Sequence, residues 1–378
     1  VNSTTLYATL GTTNNNQGTI VLNGGNNNIH GTIYSLGTGI GTPKLKLVTV
    51  DTNYKNLGNT IVTNLIVNDG LTYTAGGVAG TDFDGKITLG NKIGNSNVVF
   101  TSGIKSSFDS SIVTVAANNG TVTYQGDALV SNIGSADTPV ASVQFAGSAG
   151  SNVLLQGAVY SQATNFNSYG LSIIKPNVTL GGGTTTINGK IDLGTNVLTF
   201  ASGVSTWDSN TSIDTQLLLA NGNLGQIVIA SGAKVNLTSN TATNINILDK
   251  ADVPISNIQS YTLIKGGANL TGTLTPNFTI TGSNRFINYS LIRADNGDYI
   301  ITRTNNVANV LANDIKGNQF ADMPNIGQNI AAFLNQNNTG DASAAFKNLT
   351  LAKNGSDSAK FVVALTTDES AAVTNTNL

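Results

Sequence analysis

The chain has 378 residues, no cysteine and one histidine, His30, which stands among glycines in the stretch LNGGNNNIHGTI (Leu22 to Ile33). A basic ring beside glycines could act as a catalytic base next to a phosphate cradle. A Ser-His-Asp triad would have to use His30, yet no Gly-x-Ser-x-Gly elbow supports one. His30 also aligns with Asn188 in a sister segment, LGGGTTTINGKIDLG (Leu180 to Gly194). That alignment favours an outward polar position in a scaffold, with Ile29 and Ile187 pointing inward. The glycine runs Gly37–Lys44 and Gly181–Gly183 match neither a P-loop nor a dinucleotide fingerprint, and no helix follows to add its dipole. They read as turns at the corners of a repeating structure.

Two other groupings carry chemistry in principle. Asp82 and Asp84 in TDFDG sit two apart, so a strand places both on one side. Paired carboxylates can hydrolyse glycosides or bind calcium. The sister segment TTING lacks both, and lyases built on repetitive β folds also need a nearby base, whereas no arginine precedes Arg285. Asp109 and Asp208 recur beside Phe108 and Trp207 in NVVFTSGIKSSFDSSI and NVLTFASGVSTWDSNTSI. Recurrence points to a turn for the acid and to stacking on a core for the aromatic. The expectation is therefore no catalytic residue, no cofactor site and no metal site.

Composition narrows the elements that hold these residues. Charged residues are 10% of the chain, far below the about 25% of ordinary soluble domains, while hydrophobic residues at 39% suffice for a core. The surface must be built from Thr, Asn, Ser and Gly. A net charge of -2 and scattered lysines exclude a nucleic-acid partner. No apolar run reaches the length of a membrane helix, so no direct membrane insertion is expected. The opening, VNSTTLYATLGTTNNN, has neither a basic start nor an apolar core. It suggests a fragment or a processed product.

Up to about Thr304, short β-branched runs such as KLKLVTV, NTIVTNLIV and GQIVIASGAKVNL alternate with period two between Gly, Asn and Ser. Internal repetition joins that alternation, including the segments that align Gly31, Gly85 and Gly189. The fold expected is mainly β, a right-handed parallel β-helix (solenoid). In such a fold inward residues stack in columns and outward Asn, Thr and Ser form ladders without charge repulsion. An antiparallel sandwich array is the rival architecture. Residues 1–246 are assigned to this solenoid. Residues 247–304 pair aromatics with aliphatics and include Asn296-Gly297, a type I′ hairpin signal. They read as a β-hairpin cap formed by Tyr261, Leu263, Tyr289, Leu291, Tyr299 and Ile301. Residues 305–378 carry apolar residues at helical spacing, among them Val307, Val310, Leu311 and Ile315, and read as a short C-terminal α-helical region of three or four helices.

The β-rich repeats, the segment YSLIRADNGDYIITR (Tyr289 to Arg303) and the helical tail together resemble autotransporter passengers of the rickettsial surface antigen group. That resemblance implies an autochaperone-like role for residues 247–304 and a location at the bacterial surface, outer-membrane associated. It also implies two partners: a host cell-surface protein receptor, and the protein's own outer-membrane β-barrel translocator, which is missing from this chain. The implied function is adhesion and invasion, with a protective surface layer equally compatible. The alternative from a different class is a β-helix carbohydrate-active enzyme, a polysaccharide lyase or hydrolase.

Overall fold

The computed structural model describes residues 5–6, 17–23, 27–29, 45–56, 60–76, 82–90, 94–101, 105–106, 111–147, 151–167, 170–173, 175–218, 223–238, 243–249, 259–272, 274, 276–281 and 286–315. The chain divides into two units. The first comprises residues 1–215, 225–246 and 264–279; the second comprises 216–224, 247–263 and 280–378.

The first unit is built of short parallel strands. Thr72–Ala75, Asn97–Phe100, Val197–Phe200 and Gln226–Ile229 each alternate half-buried with buried residues, so the period of two seen in the sequence sorts side chains between core and solvent. Apart from shifts between Ile61 and Asn64 and between Asp192 and Gly194, pairing keeps its register from strand to strand, which places inward residues directly against inward residues. One such column runs Val48, Leu65, Ile87, Ile112, Ile133, Val159, Leu180, Phe200, Ile229. A second runs Ala128, Val153, Leu171, Ile191, Ile213. All of these side chains are buried. Burying each large one contributes about 1.5–3 kcal/mol.

The third column is aromatic. Phe100 pairs with Tyr124 and Tyr124 with Phe145. Their rings stack at 4.9 and 5.4 Å, Phe145 stacks on Phe166 at 4.7 Å, and Phe83 meets Phe100 edge-on at 6.1 Å. The spacing of paired strands, about 4.8 Å, is close to that of offset-stacked rings, so in-register pairing enforces the stack. Ile187, Trp207 and Leu237 continue the register from Phe166. Trp207 is 1% exposed and tilted against Phe200 at 5.9 Å, as its recurrence predicts.

Where strands end, side-chain oxygens and amides take over the ladder. Asp127 accepts from the Asn152 N–H at 2.8 Å, Asn132 from Ala158 at 2.9 Å and Asn53 from Thr72 at 2.9 Å. Asn196 Nδ2 donates to the Ile173 carbonyl at 2.6 Å. Thus many of the asparagines serve as neutral bridges between neighbouring strands. They satisfy backbone groups that the turns leave unpaired.

The glycine run Gly181–Gly183 differs from expectation. It lies inside the continuous strand Val178–Asn188 rather than in a turn. The strand bends there: Val178–Leu180 pair with Leu198–Phe200, and Thr184–Ile187 pair with Val204–Trp207. Gly182 has φ +112°, and a Cβ on it would lie 2.1 Å from the Ser161 carbonyl oxygen. Close backbone approach at a corner therefore requires glycine, and the corner forms without breaking the strand.

In the second unit, Ile287–Arg293 and Tyr299–Asn305 form an antiparallel hairpin whose last pair is Arg293 with Tyr299. The turn predicted at Asn296-Gly297 is present, but its type is different. Gly297 N–H donates to the Ala294 carbonyl at 2.8 Å, Gly297 has φ +86°, and Asn296 does not share the positive φ. This is a turn over Ala294–Gly297 closed by a left-handed glycine, in place of type I′. Asn296 Oδ1 accepts from Asp298 N–H at 3.0 Å and fixes the loop. One helix, Val307–Ile315, follows, with Val307 and Leu311 fully buried. The remaining helices expected after it lie outside the described residues. Among those described, no helix is long and apolar enough to cross a membrane.

Two measurements test this packing. Phe145→Ala, which removes a ring stacked on both sides, lowers the unfolding free energy by about 3–5 kcal/mol in denaturant titration. Burial pushes the Tyr73 hydroxyl up to about 12 against hydrogen bonds from Thr60 and Asn56 that pull it down. Its folded value exceeds its unfolded value of 10.0, so its contribution to stability is complete below pH 10 and is lost as pH rises towards 12. Spectrophotometric titration shows this group ionising above ordinary tyrosines, and Tyr73→Phe reduces the alkaline loss.

Candidate functional surface

Among the described residues, those first suspected of chemistry do not converge. His30 lies outside the described residues, as do Gly31, Phe108, Asp109 and the run Gly37–Lys44. Ile29 pairs with Leu6 and Asn56 along the backbone. Asn188, which aligns with His30, is half-buried and accepts a hydrogen bond from Asn210 Nδ2 at 3.0 Å. It is one rung of an amide ladder. Asp208 accepts from the Ser209 N–H at 2.7 Å and from Thr238 Oγ1 at 3.3 Å, a turn-fixing role. Asp82 and Asp84 share the strand Asp82–Leu89, with Phe83 between them in the core. Among the described residues no three His, Cys, Asp or Glu side chains group together.

What the pairing does assemble is an outward surface. Thr72, Asn97, Thr121, Ser142, Ala163 and Thr184 stand on successive strands in one file. Beside them run Thr123, Gln144, Asn165, Thr186, Thr206 and Asn236. All are half-buried or exposed, and none is charged. Sequence reading expected polar ladders but could not say which residues share a file, because that depends on register between strands far apart in the chain. On other strands Asp192 and Asp214 are paired directly, a repulsive arrangement. Lys190 spans both, at 3.8 and 3.4 Å, and Asn246 Nδ2 donates to Asp214 at 2.6 Å. These side chains are partly exposed, so the bridge contributes little to stability.

The cap residues separate by burial. Leu263, Tyr299 and Ile301 are buried; Tyr261, Tyr289 and Leu291 are half-buried. A residue that the sequence reading missed lies with them: Arg303 is fully buried. Its Nε donates to the Tyr289 hydroxyl at 3.3 Å and a terminal nitrogen donates to Gln259 Oε1 at 3.1 Å. Tyr261 OH donates to the same Gln259 oxygen at 3.0 Å. The signal was available, since alternation in YIITRTN puts Tyr299, Ile301 and Arg303 on one face.

Residues 1–300 match the passenger-domain family of Rickettsia outer membrane protein B. The chain belongs to that family. It is 59% identical to outer membrane protein B of Rickettsia japonica and of Rickettsia rickettsii, and 54% identical to that of Rickettsia prowazekii. Each match covers the whole chain and 23% of the relative's length. The chain is thus similar to a part of an autotransporter passenger, the class its texture suggested, and that membership associates it with the outer membrane at the bacterial surface.

Arg303→Ala removes two hydrogen bonds made by a buried charged group. It lowers the unfolding free energy by about 1.5–3 kcal/mol, read by urea denaturation of the chain.

Proposed function

We propose that this chain is a surface-exposed adhesin segment that promotes attachment to and entry into host cells. The observation that carries the proposal is the pair of outward, uncharged files from Thr72 to Thr184 and from Thr123 to Asn236, hydroxyl and amide side chains apart from Ala163, presented by a member of a bacterial surface-passenger family. Each polar contact is modest. Many copies on one cell multiply them, so avidity rises without any single strong site. The partner in this reading is a host cell-surface protein, with the chain held at the surface by its own β-barrel translocator.

In the same reading the first unit is a right-handed parallel β-helix. Its three inward columns and their regular parallel pairing support that architecture. Residues 1–246 form the solenoid passenger, 247–304 the autochaperone-like cap and 305–378 the helical tail. Within the cap, the buried Arg303 network and the buried Tyr299 and Ile301 support a template role for chain ends that would otherwise expose unpaired strand edges. The carbohydrate-active alternative gains no observation in its favour.

Beads coated with the purified chain bind cultured mammalian cells more than albumin-coated beads. Placing lysine at Thr123 and Asn165 reduces that binding while leaving the circular dichroism spectrum unchanged. Binding equal to albumin sinks the adhesin reading for this segment.

A further inference from the structure

We propose that the corner shared by Asp69 and Asn119 binds a divalent cation of the calcium class. Asn119 opens the strand Asn119–Tyr124 and is 5% exposed, yet neither its Oδ1 nor its Nδ2 hydrogen-bonds any group of the protein. A buried amide with both ends unpaired is disfavoured unless another species meets it. Asp69 reaches the same place from the turn after the strand Thr60–Val67. A Cβ on Gly90 would lie 2.7 Å from Asn119 Nδ2 and 2.9 Å from Asp69 Oδ1, so the two side chains converge on one point. A Cβ on Gly94 would lie 2.5 Å from the Asp69 Cβ. Both glycines therefore give Asp69 and Asn119 room that any other residue would fill. Asn68, the neighbour of Asp69, donates to the Asp51 carboxylate.

The donor set names the ligand. Carboxylate and amide oxygens are hard, and calcium accepts six to eight such oxygens, including Asn side chains, backbone carbonyls and water. No histidine or cysteine is at hand among these residues to favour zinc or copper. A half-turn of the Asn119 amide brings Oδ1 in place of Nδ2 toward the carboxylate, at no cost in packing because the two atoms are nearly the same size. Smaller magnesium demands a near-ideal octahedron and releases its water reluctantly, so it is the weaker ligand. This inference is independent of the adhesin reading.

The test uses the whole 378-residue chain, stripped of divalent ions with a chelator and then dialysed against radioactive calcium or against magnesium. Saturable calcium binding and a calcium-dependent rise in Tm are expected, with a smaller response to magnesium. Asp69→Asn and Asn119→Ala each weaken calcium binding about tenfold or more, whereas Asp192→Asn, remote from this corner, leaves it unchanged. Wild-type chain that shows neither saturable binding nor a Tm response overturns the proposal, and a water molecule then accounts for the Asn119 amide. Calcium binding that survives both substitutions also overturns it, because the ion then sits elsewhere. Since the wild-type measurements decide alone, a variant that fails to fold does not rescue the idea.

Discussion

Every inward side chain in the first unit has to fit directly against the residue at the same position on the next strand. In-register parallel pairing imposes this, at a spacing close to the contact distance of stacked rings and branched aliphatics. The column from Phe100 to Phe166 and the largely aliphatic column from Val48 to Ile229 are both consequences. So is the outward face, where the same rule would stack like charges. Among the described residues, Asp192 against Asp214 is the exception that shows the rule, since Lys190 and Asn246 are needed around the two carboxylates. Low charge is therefore a requirement of the pairing.

Asparagine and glycine solve the second problem, that of turning. A turn takes the backbone out of the ladder, and amide side chains such as Asn132 and Asn196 replace the lost partners. Glycine allows neighbouring backbones to come close, as at Gly182 against Ser161. The second unit uses different means. Its antiparallel hairpin is closed by Gly297, and its interior carries a guanidinium held by neutral oxygens from Tyr289 and Gln259.

Much of this was legible in local sequence. Period-two alternation named the strands, and the recurrence of Trp207 with Phe108 placed that aromatic in the core. Ile29 and Ile187 fall on corresponding strand positions. The corner expected at Gly181–Gly183 is present, but as a bend within a strand in place of a turn, because glycine marks both a turn and a close approach, and only the neighbouring strand tells them apart. At Asn296-Gly297 the pair signalled a hairpin, but loop length decided the turn type, with Ala294 and Asp298 bonded across it. The outward files and the meeting of Asp69 with Asn119 were not legible. Each depends on which residues become neighbours across strands, and that register is a property of the whole stack.

The asparagine bridges at the strand ends have one more consequence. They hold neighbouring turns together with groups that neither gain nor lose a proton in the physiological range. Hydrogen bonds between neutral groups also respond weakly to ionic strength, which screens charges and leaves short dipolar contacts nearly intact. A scaffold joined in this way keeps the same shape in dilute, salty or mildly acidic fluid. Its architecture is buffered against the medium by its chemistry, with no need for a crosslink.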